Sequence, residues 1–325
     1  MRHEQVVIQR GERSGLAVIV AVHSTRLGPA IGGCRIKQYP DWRDGLADAL
    51  RLSEAMTSKC ALASLPHGGG KTVVALPPGV TAGRDVLLDV GDVIAGLGGR
   101  YSTGPDVGTG PDDMVTIGER TPYVFCRPAE AGGSGDSSEH TAVGVIAALR
   151  ALCGDLSAKS FAVLGLGRVG GHVWRMLTDA GATVIASDVD DRKRRGTWVS
   201  PEECLTAEVD VLVPAALGGL LTPATVPRLR CAAIAGPANN QLDEPGTADL
   251  LAGRGILWAP DAVVSAGGII HATAIELRHE TPARAMALVE AIGDTLGTLL
   301  RAAATEGITP AEAAQRQAEA AYRHA

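Results

Sequence analysis

The stretch Phe161-Ala-Val-Leu-Gly-Leu-Gly-Arg-Val-Gly170 decides the fold. Phe161–Leu164 reads as an apolar strand. Gly165, Gly167 and Gly170 follow at G-x-G-x-x-G spacing, with Leu166, Arg168 and Val169 between them, and open a helix with Val169, Val173 and Leu177 on one face. The first glycine permits a tight turn and the second lets the backbone approach a pyrophosphate. The third lets the helix lie close to the strand, with its N-terminus facing the phosphates. Gly181 ends the helix, Thr183–Ser187 reads as a second strand, and Asp188 and Val189 stand at its end, where a carboxylate accepts hydrogen bonds from a ribose diol. An ordinary glycine turn before an exposed Asp is the alternative, and the complete order of strand, turn, helix, strand and acid argues against it. The acid would repel a 2′-phosphate, so the expected cofactor is NAD. The basic run Arg192-Lys193-Arg194-Arg195 behind it opposes that preference if it reaches a phosphate.

Outward from this unit the chain alternates strands and helices. Before it, β-rich runs (Val6–Gln9, Leu16–Val22, Thr72–Leu76, Tyr123–Cys126) alternate with helical patterns at Asp44–Ser58 and Arg84–Leu97. Ala131–Glu139 (AGGSGDSSE) then breaks the pattern as a crossover. After it, strand, glycine turn and helix recur to about Ile270, and an Ala-rich helical tail carries Gly307 and Pro310 between two helices. The expected fold is α/β with two domains: residues 1–139 as an N-terminal α/β substrate domain, and 140–275 as a doubly wound, Rossmann-like nucleotide domain. The helices of 276–325 are expected to return to the first domain, with the active site in the cleft.

Composition narrows the partners. With 30 basic and 36 acidic residues, the net charge of −6 has the wrong sign for a nucleic-acid or acidic-lipid binder, so a small molecule is expected. The six cysteines are scattered singly, with no zinc-ligand spacing, as in a reduced protein. The longest apolar runs, such as Leu16–Val22, fall short of the 18 or so residues that suggest a membrane span, and no metal, membrane or nucleic acid is expected. The expected location is the cytoplasm.

Two lysines have unusual settings. Lys59 follows an amphipathic helix and sits among Met56, Cys60, Ala61 and Leu62; alone, it would be an ordinary snorkelling side chain. Gly68-Gly69-Gly70 precedes Lys71, and glycines let other groups approach the backbone closely enough to confine the ammonium and lower its pKa. An exposed Lys after a glycine turn would show the same sequence, and the G-x-x-x-x-G-K-[ST] spacing of a phosphate loop is absent.

Eight ordered segments resemble the Glu/Leu/Phe/Val amino acid dehydrogenase superfamily. They are Leu27–Arg35 (LGPAIGGCR), Met56–Lys59, Leu65–Lys71 (LPHGGGK), Thr103–Thr109 (TGPDVGT), the glycine fingerprint, Ala235–Gln241 (AGPANNQ), Ala259–Asp261 and Ser265–Gly268. Within the superfamily, Thr103-Gly104-Pro105-Asp106, Val74–Pro77 and Gly268–His271 are most similar to actinobacterial phenylalanine dehydrogenases.

The resemblance implies reversible oxidative deamination of an L-amino acid by NAD. Lys59 would hold the substrate carboxylate, Lys71 polarise the carbonyl and orient water, Asp106 carry protons, and Asn239 bond the amino group. Gly104 and Ala272 would leave room for a large side chain beside Pro105, with apolar walls from Ile31 and Ile269, so phenylalanine is expected first. Arg35, Ser137 and Thr141 would lie near pyrophosphate and nicotinamide, and Ala216, Leu217, Pro237 and Ala238 would line the dinucleotide crevice. A homo-oligomer, dimer or larger, is expected. The alternatives are a leucine or valine dehydrogenase, or a silent NAD-binding homologue; the presence of Lys59, Lys71 and Asp106 speaks against the last.

Overall fold

The computed structural model describes residues 3–323. They form two compact units, one built from the chain up to Asp136 with Ala272–Glu280 and the residues from Gln317 on, the other from Ser137–His271 and Thr281–Arg316.

The first unit contains β1 (Gln5–Arg10), β2 (Ala17–Ser24), β3 (Ala30–Gln38), α1 (Trp42–Leu62), β4 (Gly68–Leu76), α2 (Arg84–Ala95), β5 (Tyr101–Pro105) and α3 (Pro111–Gly118). Its sheet runs β1-β2-β4-β3-β5, antiparallel from β1 to β4 and parallel from β4 to β5. The two-residue period of β2 explains its central place. Val18, Val20 and Val22 face Val86, Val90 and Ile94 of α2, while Ile19 and Ala21 join Ala49 of α1 and Val73 and Ala75 of β4. Each fully buried Val or Ile side chain contributes roughly 1.5–3 kcal/mol. Asp41 caps α1 by accepting from the Arg43 amide, and Asp44 completes a capping box.

Three stretches of this unit differ from the sequence expectation. Tyr123–Cys126 contributes one bridge, Val124 to Thr103, whereas β3 and β5 were hidden by their glycines. β3 lies between β4 and β5, and a Cβ on Gly32 would meet the Gly70 carbonyl oxygen at 1.8 Å, so close packing required a residue that weakens a strand signal. Lys59 lies inside α1 instead of after it.

The second unit contains α4 (Ser138–Cys153), β6 (Ser160–Leu164), α5 (Arg168–Asp179), β7 (Thr183–Ser187), β8 (Thr197–Trp198), α6 (Pro201–Leu205), β9 (Val211–Pro214), β10 (Ala233–Ile234), α7 (Thr247–Gly253), β11 (Leu257–Trp258) and α8 (Asp261–Val264). α10 (Pro282–Glu290) and α11 (Ile292–Glu306) also belong to it, whereas α9 (Gly267–Glu276) and α12 (Pro310–Arg323) are divided between the two units, α9 at Ala272 and α12 at Gln317. The six strands are all parallel in the order β11-β10-β9-β6-β7-β8, which is the doubly wound arrangement with its reversal between β6 and β9. Of the tail expected to return to the first domain, α10 and α11 pack on α4 in the second unit instead. Gly307, with φ +67°, ends α11 as the sequence suggests. Among the described residues, no helix is long and apolar enough to cross a membrane, no His/Cys/Asp/Glu cluster suits a metal, and all six cysteines are free.

Candidate active site

In the first unit β4 sets the central side chain. The glycines before Lys71 are small because neighbours occupy the Cβ positions: on Gly69 a Cβ would lie 2.1 Å from the Thr57 amide nitrogen of α1, and on Gly70 2.5 Å from the Tyr101 ring. The strand is therefore closed over, and the Lys71 side chain is 8% exposed. Its Nζ stands 2.7 Å from Oδ2 of Asp106, just past β5. Burial pushes the Lys71 ammonium below its ordinary pKa although Asp106 opposes the shift. Burial works to raise the Asp106 carboxyl, and Lys71 and Arg35 outweigh it, holding the group below its ordinary value. Thr109 fixes the turn, its Oγ1 accepting from the Asp106 amide and donating to the Cys34 carbonyl. Such a pair, screened from water, can hold and exchange a proton at a bound polar group.

Arg35 donates from Nε to Asp106 Oδ2 at 2.8 Å and from Nη1 to Asp48 Oδ2 at 2.8 Å. Its guanidinium thus engages two carboxylates, where the family resemblance implies a place near pyrophosphate and nicotinamide. Ile31 is fully buried in β3, between Gly69 and Ser102 in register. Lys59 sits half-buried in the last turn of α1. Gly104 is buried, Pro105 half-buried, and Ala272 fully buried within α9. A Cβ on Gly104 would meet the Phe125 ring at 2.6 Å. The room expected at Gly104 is filled by Phe125, which the sequence reading did not connect with it.

In the second unit the fingerprint has the three expected properties. Gly165 adopts φ +105°, open to few residues other than glycine; a Cβ on Gly167 would meet nothing within 4 Å; and one on Gly170 would strike the Gly165 carbonyl oxygen at 2.0 Å. Gly167 caps α5 without a side-chain bond, and the space over it leaves the N-terminus of the helix openly approached. Asp188 accepts from the Leu166 amide at 2.7 Å, the Asp190 amide at 2.9 Å and Lys193 Nζ at 3.0 Å. Burial works to raise its carboxyl, and these donors hold it below its ordinary pKa. In the basic run, Lys193 takes Asp188, Arg192 takes Asp190, and Arg195 lies over the Trp174 ring.

Val189 and Leu217, at the ends of β7 and β9, are 93% and 88% exposed, apolar surfaces without cover beside the glycine turn. Ala216 abuts Gly165, its Cβ 2.8 Å from where a Gly165 Cβ would stand. Pro237 and Ala238 are buried in the segment that ends at Asn239. Open glycine, helix N-terminus, terminal acid and bare apolar side chains together fit a dinucleotide.

Asn239 Oδ1 accepts from Ser265 Oγ at 3.2 Å. Gln241, overlooked as a supporting residue, is fully buried; its amide donates to the carbonyls of Gly236 and Ala238 and its oxygen accepts from Trp258 Nε1. Ser137 and Thr141 open α4, with their hydroxyls 3.0 and 2.7 Å from where a Gly268 Cβ would stand, next to Ile269.

Known families match both units. Residues 2–123 match the Glu/Leu/Phe/Val dehydrogenase dimerisation domain, and residues 186–323 match the Glutamate/Leucine/Phenylalanine/Valine dehydrogenase family. The valine dehydrogenase of Streptomyces virginiae is 42% identical, over 98% of this chain and 93% of its own length. The phenylalanine dehydrogenase of Lysinibacillus sphaericus is 39% identical, over 98% and 88%. The crystal structure of L-tryptophan dehydrogenase from Nostoc punctiforme superposes with a TM-score of 0.87 at 36% identity, covering 100% of this chain and 98% of that one. The fold, the glycine turn and these matches agree: the chain belongs to the Glu/Leu/Phe/Val dehydrogenase family of amino acid dehydrogenases.

Proposed function

We propose that the protein catalyses the reversible oxidative deamination of a hydrophobic L-amino acid, in which substrate, NAD⁺ and water give a 2-oxo acid, ammonium, NADH and a proton. The observation that carries this reading is the buried contact between Lys71 and Asp106. NAD supplies the hydride acceptor. Lys59 binds the substrate carboxylate as a point charge, and Asn239 accepts from the amino group. Lys71, its pKa lowered by burial, polarises the carbonyl and orients the attacking water, and Asp106 passes protons to and from the departing ammonia. Asp188 receives the ribose hydroxyls, Gly165–Gly170 the pyrophosphate, and Val189 and Leu217 the faces of the adenine. Ser137, Thr141, Ala216, Pro237 and Ala238 line the remainder of the cofactor's path. The match to a dimerisation domain supports a homo-oligomer.

For the substrate side chain, Ala272 and the apolar Ile31 and Ile269 favour a hydrophobic group, phenylalanine being the expectation from the sequence. A second reading, a branched aliphatic substrate, is favoured by the Phe125 ring at Gly104 and by the similarity to a valine dehydrogenase. A screen for NADH formation across the L-amino acids tests both. Turnover confined to apolar side chains supports the proposal, the order of kcat/KM for valine and phenylalanine selects the reading, and turnover of glutamate alone refutes both.

A further inference from the structure

Arg35 projects from β3, which pairs with β4 on one side and β5 on the other, so it stands between the strands that carry Lys71 and lead to Asp106. Its two bonds run in different directions, Nε to Asp106 and Nη1 to Asp48 on α1. Asp48 is held in turn: Oδ2 also accepts from the Tyr39 hydroxyl at 2.7 Å and Oδ1 from Arg51 at 2.7 Å. The Arg35 and Asp48 side chains are 14% and 13% exposed, so this chain of contacts lies mostly out of water.

The consequence falls on Asp106. Both Lys71 and Arg35 bond its Oδ2, and no described residue bonds Oδ1. A carboxylate that exchanges protons with a substrate needs one oxygen held and one presented. A guanidinium is a rigid planar fork, so fixing one edge of it fixes the direction of the other. We propose that Asp48 is a positioning residue for the Lys71–Asp106 pair, acting through Arg35, whose plane it sets so that Asp106 keeps Oδ2 on the cations and turns Oδ1 to the substrate. The proposal rests on the reading of Asp106 as the proton carrier.

Asp48 also draws on the positive charge of Arg35, which otherwise acts undivided on Lys71 and Asp106. The other ionisable groups facing this corner are Cys34, its thiol pushed up to about 12 by burial, and Asp113, whose carboxylate accepts from the Gly110 amide.

The test follows kcat, KM and the pH limb of deamination that reports Lys71. Arg35→Lys keeps the charge but not the fork, and kcat falls about 10-fold with KM within about 2-fold of wild type, the signature of misplaced chemistry. Asp48→Asn lowers kcat similarly and moves the limb to lower pH, since Arg35 then bears more strongly on Lys71. Arg35→Gln moves the limb to higher pH, and adding Asp48→Asn to it moves the limb no further. Arg43→Gln, in an exposed pair with Asp41 on the same helix, changes neither quantity. Wild-type kcat in Arg35→Lys, or a limb shift from Asp48→Asn that persists without Arg35, overturns the proposal. If Asp48→Asn does not fold, Asp48→Glu, which keeps the charge but displaces the carboxylate from Arg35, decides: kcat should fall with KM within about 2-fold of wild type, and a wild-type kcat overturns the proposal. A wild-type protein inactive on every L-amino acid overturns the functional reading as well, which separates the two failures.

Discussion

Lys71 Nζ lies 2.7 Å from Asp106 Oδ2, with the ammonium nearly sealed from solvent and the carboxylate partly open. Burial disfavours the ammonium, so the Lys71 proton leaves below the ordinary 10.5. If Lys71 acts in its neutral form on the route to deamination, kcat/KM rises with pH along a limb below that value. Lys71→Arg, which stays charged, should abolish the limb as well as the turnover. A limb that survives the substitution belongs to another group.

Lys59 has a different task, binding the carboxylate in ground and transition states alike. Lys59→Ala should raise KM at least as much as it lowers kcat, whereas Asp106→Asn should lower kcat by about 10²-fold or more. Steady-state kinetics on the two variants distinguishes the roles, and a reversal of the pattern contradicts them.

Asp188 predicts that NADH binds at least about 10-fold more tightly than NADPH, a gap of about 1.4 kcal/mol. Lys193, bonded to the same carboxylate, softens the repulsion of a 2′-phosphate, so Lys193→Gln should widen the gap. Fluorescence titration of both nucleotides reads this directly. Equal affinities in the wild type would remove Asp188 from its assigned place.

Phe125 predicts the fate of Gly104→Ala. The added methyl group meets the ring at 2.6 Å, an overpacking that should destabilise by about 1–3 kcal/mol, and Phe125→Leu in the same chain should restore part of it. Thermal unfolding of the single and double variants measures both. An unchanged melting temperature in Gly104→Ala would show that the ring yields freely.

Asp48 predicts an acid-dependent loss of stability. Burial works to raise its carboxyl, but Tyr39, Arg51 and Arg35 hold it at about 2, below the ordinary 3.8. A depressed folded-state pKa stabilises fully above the unfolded value, and the contribution is lost as pH falls from about 4 through about 2. The difference corresponds to about 2 kcal/mol at neutral pH, so Asp48→Asn should unfold more readily at pH 7, with a smaller deficit at pH 3. Denaturant titrations at the two pH values check the sign.

How much of this was legible in the sequence depended on whether a residue's partners lie near it in the chain. The glycine fingerprint was legible because each glycine answers to its own turn, and Thr183–Ser187 emerges as β7 with the bounds read from the sequence. β3 was not, because Gly32 and Gly33 are there for neighbouring strands that the local pattern does not reveal. Lys71 and Asp106 stood out through their motifs. Their dependence on Arg35 and Asp48, and the filling of Gly104 by Phe125, come from contacts across the sheet that spacing does not encode.

The role of Lys71 in deamination is tested by the initial rate of NADH formation with saturating NAD⁺ and a hydrophobic L-amino acid, compared between wild type and Lys71→Ala. The wild type should turn over readily and the variant lose about 10²-fold or more, with the fold and NADH binding retained. Wild-type turnover in Lys71→Ala, or no amino-acid-dependent NADH formation in the wild type, would contradict it.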